Sequence, residues 1–78
     1  MPEILRIGGH RFFFYSLESN EPPHIHVRTA EKSAKFWLTP VSIARSSRYN
    51  ASELRQIQEI VEQHRELFLE SWNAYHRK

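Results

Sequence analysis

The feature that most constrains this chain is a single change of hydrophobic period. From Asn50 to the C-terminus there is no proline and no glycine, and apolar residues recur on one helical stripe: Leu54, Val61, Phe68 and Tyr75 at intervals of seven, with Ile57, Ile60, Leu67 and Trp72 beside them. Glu59, Glu62, Arg65 and Glu66 lie largely off that stripe. Asn50 followed by Glu53 is a capping-box pattern, in which each side chain accepts from a backbone N–H at a helix start. The pattern predicts one amphipathic helix of about 25 residues, roughly 37 Å long at 1.5 Å per residue. A helix of that length overhangs a domain this small, so its distal part around Leu69 and Trp72 is expected to reach a second copy or another partner.

Ahead of Asn50 the period is two. In "EILRIGGHRFFFYS" the Gly8-Gly9 pair marks a hairpin, because both glycines accept positive φ. "HIHVRT" points Ile25 and Val27 one way and His24, His26 and Arg28 the other. "AKFWLT" opposes Ala34, Phe36 and Leu38 to Lys35 and Trp37, and Pro40 ends it. "LESNEPP" and "AEKS" read as turns, whereas "VSIARSSRY" is ambiguous between a short helical turn and an irregular connector.

The expected fold is therefore α+β: a small antiparallel sheet of about four strands packed on one long C-terminal helix, with residues 1–78 a single domain. Phe12, Phe14, Ile25, Val27, Ala34, Phe36 and Leu38 should form the dry face against Leu54, Ile57, Val61 and Phe68. A chain of 78 residues buries only roughly 60–65% of the surface it exposes when unfolded. The five Phe, two Trp and three Tyr make that limited core worth more.

The opposite face collects Arg11, Phe13, Tyr15, His24, His26, Arg28, Lys35 and Trp37, cations interleaved with rings and no carboxylate among them. Single-stranded nucleic acid binders need this combination, positive charge for phosphates and π surfaces for unstacked bases. A half-solvated sheet face and a protein interface produce the same pattern. Charge is distributed accordingly: residues 1–49 hold seven Lys/Arg against four Glu, and residues 50–78 hold four against five.

The histidines of "NEPPHIHV" admit three uses. Two imidazoles at i and i+2 on a strand can supply half a metal site, but Glu18, Glu21 and His10 are at no diagnostic spacing to complete it. They can serve as acid and base in metal-independent RNA cleavage, with Arg28 or Lys35 stabilising an anionic phosphorane. Or His24 is structural, locked behind Pro23 and bonded to a turn backbone. His64, on the helix seam, reads as a core or interface histidine. "ARSSR" offers Arg45 and Arg48 with two hydroxyls that could hold a phosphate, but a solvated loop is the preferred reading, and His76-Arg77-Lys78 reads as a frayed end. No cofactor motif is present, and with no cysteine a thiolate zinc site and a disulfide are excluded. No signal peptide or membrane span is legible, which points to the cytoplasm.

"MPEILRIGGHRFFFYS", "NEPPHIHV", "AKFWL" and "ELRQIQEIVEQHRELFLESWNAY" together resemble the bacterial domain-of-unknown-function family four-one-six-zero over essentially the whole chain. The resemblance implies a prokaryotic, cytoplasmic protein often encoded beside a second small protein, of family two-four-four-two, in a toxin–antitoxin-like pair. It transfers no catalytic residues. Arg45 and Arg48 lie where the family is less basic. The expected function is thus a component of such a pair that binds RNA or DNA through Arg11, Tyr15, Arg28, Lys35 and Trp37. The alternatives are a ribonuclease using His24 and His26, and a protein-interaction module that binds a cognate partner or dimerises through the C-terminal helix.

Overall fold

A computed structural model describes residues 3–15 and 20–76. Strands β1 (Glu3–Ile7), β2 (His10–Phe13), β3 (His24–Thr29), β4 (Lys32–Leu38) and β5 (Val41–Ser47) are followed by helices α1 (Ala51–Gln63) and α2 (Arg65–His76). The five strands form one antiparallel meander in sequence order. Two-residue turns join β1 to β2, β3 to β4 and β4 to β5, whereas ten residues, 14–23, separate β2 from β3. Gly8 and Gly9 take φ of 57° and 83°, the pair of positive values a two-residue hairpin needs. Ala30 (φ 54°) turns β3 into β4, and a cis Thr39–Pro40 peptide lies between β4 and β5.

The expected count of about four strands is corrected to five. "VSIARSS" is β5, not a connector. Its β-branched Val41 and Ile43 alternate with polar residues, and Leu38, Phe36 and Ala34 give it a partner strand. Phe14 and Tyr15 lie past the end of β2 instead of extending it. Ser16, Glu18, Arg77 and Lys78 fall outside the described residues.

The helix side of the sheet matches the period-two reading. Phe12, Phe14, Ile25, Val27, Phe36 and Leu38 have no exposed surface, Ala34 is buried, and Ile57, Val61 and Phe68 cover them while Leu54 packs at the margin. Phe12 and Phe68 stack with ring centroids 5.5 Å apart. Closing such side chains off from water contributes about 1.5–3 kcal/mol each.

The single long helix is corrected to two. The Asn50–Glu53 capping box forms in both directions, at 2.8 and 3.0 Å. The helix is interrupted at His64 (φ −111°, ψ 19°), whose Nδ1 lies 2.9 Å from the Ile60 carbonyl oxygen. Arg65 then leaves the solvent face assigned to it: its Nε donates to the Leu38 carbonyl at 2.7 Å and a terminal nitrogen donates to Thr39 Oγ1 at 3.1 Å. These bonds pin the start of α2 to the β4–β5 turn. α1 packs over β4 and β5, while α2 packs over β3 and β4. Trp72 is consequently in the core, 5% exposed, edge-on to Phe14 at 5.3 Å, and does not overhang. Leu69 packs against the same cluster.

Candidate nucleic-acid interface

Register places side chains on the other side of the sheet in rows that run across the strands, since directly opposed residues share a face. One row is Arg6, Arg11, Arg28, Ser33 and Ser47, one residue from each strand. The next row is Glu3, Phe13, His26, Lys35 and Arg45. Two bulges set who belongs. An irregularity between Glu3 and Leu5 brings Glu3 opposite Phe13. A second lies between the Lys35–Arg45 and Phe36–Ile43 pairs, so Ala44 is the extra residue. Strict alternation would put Arg45 on the same side as Ile43; the bulge turns it to the side of Lys35.

Two shallow pockets of about 170 Å³ each adjoin on this face. One is lined by Phe13, Tyr15, His26, Arg28, Arg45, Ser33, Ser46 and Ser47. The other is lined by Glu3, Arg11, Phe13, Tyr15 and Arg28. They share Phe13, Tyr15 and Arg28, and form a trough from the first strand to the fifth.

The expected site residues divide into two groups. Arg11, Arg28 and Tyr15 are exposed along the trough, as parity requires. Phe13 stacks on His26 with centroids 5.6 Å apart and planes at 17°, and Tyr15 meets the same imidazole at 4.5 Å. Lys35 is engaged elsewhere: its Nζ donates to Glu21 Oε1 at 2.6 Å and sits 4.7 Å from the Trp37 ring centroid. The face is therefore not free of carboxylates, since Glu21 and Glu3 both reach it. The Arg6 side chain, hydrogen-bonding at 3.1 Å, holds the Glu3 carboxyl below its ordinary range, and the charge of Arg11 adds to this.

His24 departs from the open-face expectation. It has no exposed surface and lies between Trp37 (5.7 Å) and Trp72 (4.7 Å), while His26 is 5% exposed. Trp72 touches both Phe14, on the helix side, and His24, whose parity belongs to the other side, so it closes the sheet at the start of β3. His24 Nδ1 lies 2.9 Å from the Pro22 carbonyl oxygen; a carbonyl only accepts, so this nitrogen carries the proton. The turn-bonded, structural use of His24 is the one its surroundings describe. The two imidazole centroids are 5.1 Å apart. Among the described residues no three His, Asp or Glu side chains converge as a metal site.

Sequence reasoning set Arg45 and Ser47 aside as part of a solvated loop and missed Ser33. The signal for Arg45 was the β-branched alternation of "VSI" after a Thr-Pro turn, which marks a strand. The bulge that aims it is not legible in residue types. Arg48, the other arginine of that segment, takes φ 74° and pairs with Glu31 at 3.3 Å, away from the trough. His10 lies on the helix side, its Nδ1 against Thr29 Oγ1, which also accepts from the Tyr49 hydroxyl at 2.9 Å.

Residues 9–73 match the family model described as Domain of unknown function (DUF4160). The chain belongs to this family. No curated protein and no solved structure matches it. Within the DUF4160 match lie every residue lining the trough except Glu3, together with the Pro22–His26 segment and the Trp72 that covers it. No described helix of this DUF4160 protein is long and apolar enough to cross a membrane.

Proposed function

We propose that this DUF4160 protein binds single-stranded nucleic acid, RNA or DNA, across the open sheet face, as one member of a toxin–antitoxin-like pair. The observation that carries the reading is the row of Arg6, Arg11 and Arg28 on three adjacent strands, beside the rings of Phe13 and Tyr15. Like charges directly opposed on a sheet are destabilising, and a polyanion offsets that repulsion. Arg6 is already paired with Glu3, so the excess charge centres on Arg11 and Arg28. Tyr15 supplies the exposed ring, Phe13 is buried beneath it and stacked on His26, and Lys35 holds Trp37 at the margin through its cation–π contact.

Fluorescence anisotropy with labelled single-stranded RNA and DNA at two salt concentrations tests this. Binding that weakens steeply with salt supports phosphate contacts. No binding, or binding indifferent to salt, rejects them.

Binding is favoured over cleavage by His24 and His26, because that pair needs both imidazoles in reach of the substrate and His24 lies under two tryptophans. Cleavage without metal, with a bell-shaped pH–rate profile lost in His26→Ala, would reverse that preference. The protein-interaction reading draws on exposed Ile43, Leu67 and Tyr75. Co-expression with the neighbouring small protein followed by gel filtration tests it, co-elution supporting a cognate pair.

A further inference from the structure

We infer that the pocket between β2 and β5 is a subsite for a terminal phosphomonoester, the phosphorylated end of the strand that the trough is proposed to bind; the inference rests on that reading. The pocket has two unlike walls. On one side stand Phe13, Tyr15 and His26, already packed ring on ring. On the other stand Arg28 and Arg45 with Ser33 and Ser47 between and beside them. One wall suits a terminal base or sugar and the other an oxyanion.

Register brings the two guanidiniums to one anion. Arg28 shares its row with Ser33 on β4 and Ser47 on β5, and Arg45 is two residues from Ser47 on the same face. β3 and β5 are two strand spacings apart, about 9.5 Å, a gap that two arginine side chains leaning inward close around a phosphate. Among the described residues, neither Arg28 nor Arg45 has a hydrogen bond or ion pair, so their donors are uncommitted. This separates them from Lys35, committed to Glu21, and from Arg6, committed to Glu3.

The donor set fits an end better than a mid-chain linkage. A phosphodiester offers two non-bridging oxygens and one charge. A phosphomonoester offers three terminal oxygens and about −1.5 to −2 charges at neutral pH. Two planar guanidinium forks and two serine hydroxyls match the second. The bulge at Ala44 is the local device: it costs a ladder position on β5 and aims Arg45 into the pocket.

The test uses one oligonucleotide sequence in three forms, with a 5′-phosphate, with a 3′-phosphate, and with hydroxyls at both ends. Anisotropy is read at fixed salt against the native chain, Arg45→Ala and Arg48→Ala. The expected result is roughly tenfold or tighter binding of one phosphorylated form over the hydroxyl form. That preference should disappear in Arg45→Ala and persist in Arg48→Ala. Equal binding of all three forms by the native chain overturns the phosphomonoester subsite and leaves the nucleic-acid reading standing. Binding of none of them overturns the nucleic-acid reading itself. A preference that survives in Arg45→Ala overturns the assignment to this pocket. Arg45 is exposed on the outermost strand, and matching circular dichroism of the variants confirms that the fold is retained.

Discussion

Arg11 and Arg28 stand directly opposite one another on neighbouring strands, with Arg6 opposite Arg11 on the next strand outward. A sheet that gained nothing from the arrangement would be better served by a threonine or glutamate at one of these positions. Function and stability should therefore separate there.

Arg28→Thr should raise stability by roughly 0.2–1 kcal/mol, the range of a directly opposed cross-strand pair, while weakening nucleic-acid binding. The slope of log affinity against log salt should become shallower by roughly 0.7, one single-strand phosphate contact. Urea unfolding and anisotropy on the same preparation check both. A variant that loses stability and keeps its slope contradicts the electrostatic account of the row.

His24 and His26 should respond differently to truncation. His24→Ala empties a fully enclosed site between two tryptophans and removes a bond to the Pro22 carbonyl, and should cost about 2–4 kcal/mol. His26→Ala should cost less, because its ring lines the pocket and keeps 5% exposure there, whereas that of His24 has none. Denaturant midpoints report the difference. Equal, small losses would mean that His24 is not the packed residue described above.

Glu53 makes stability fall on the acid side. Its hydrogen bond from Lys32, and then that from the Asn50 backbone, lower its pKa from 4.5. A carboxyl depressed in the folded state contributes stability that is fully present above the unfolded value and is lost as pH falls through the folded one. Glu53→Gln should be less stable at neutral pH, and its stability should vary less between pH values above and below 4.5. Urea midpoints measured across that interval decide it; parallel acid limbs for both proteins would reject the role.

Arg65→Met keeps an unbranched apolar stem and removes the guanidinium with its two bonds to the β4–β5 turn. It should cost about 1–3 kcal/mol, since the Leu38 carbonyl then loses a charged donor. If these bonds steer α2, the fluorescence of Trp72, packed on Phe14 and His24, should shift towards that of an exposed indole. An unchanged midpoint and an unchanged spectrum would show that apolar packing alone seats α2.

By itself the sequence determined which residues share a face. Period two in "HIHVRT" and "AKFWL", and the heptad-spaced stripe after Asn50, are local properties of a strand and of a helix, and the buried set from Phe12 to Phe68 follows from them. The capping box is legible for the same reason, since its two partners are three residues apart. Tertiary structure decided the rest, because it depends on groups distant in the chain. The stripe ran unbroken through His64, whereas the Leu38 carbonyl and Thr39, 27 and 26 positions away from Arg65, accept the bonds that pin the start of α2. Trp72 thereby covers His24, an imidazole whose parity alone placed it in the open. The bulge at Ala44 reverses the side taken by Arg45, and a bulge is a property of two paired strands, with no counterpart in the residue types of one.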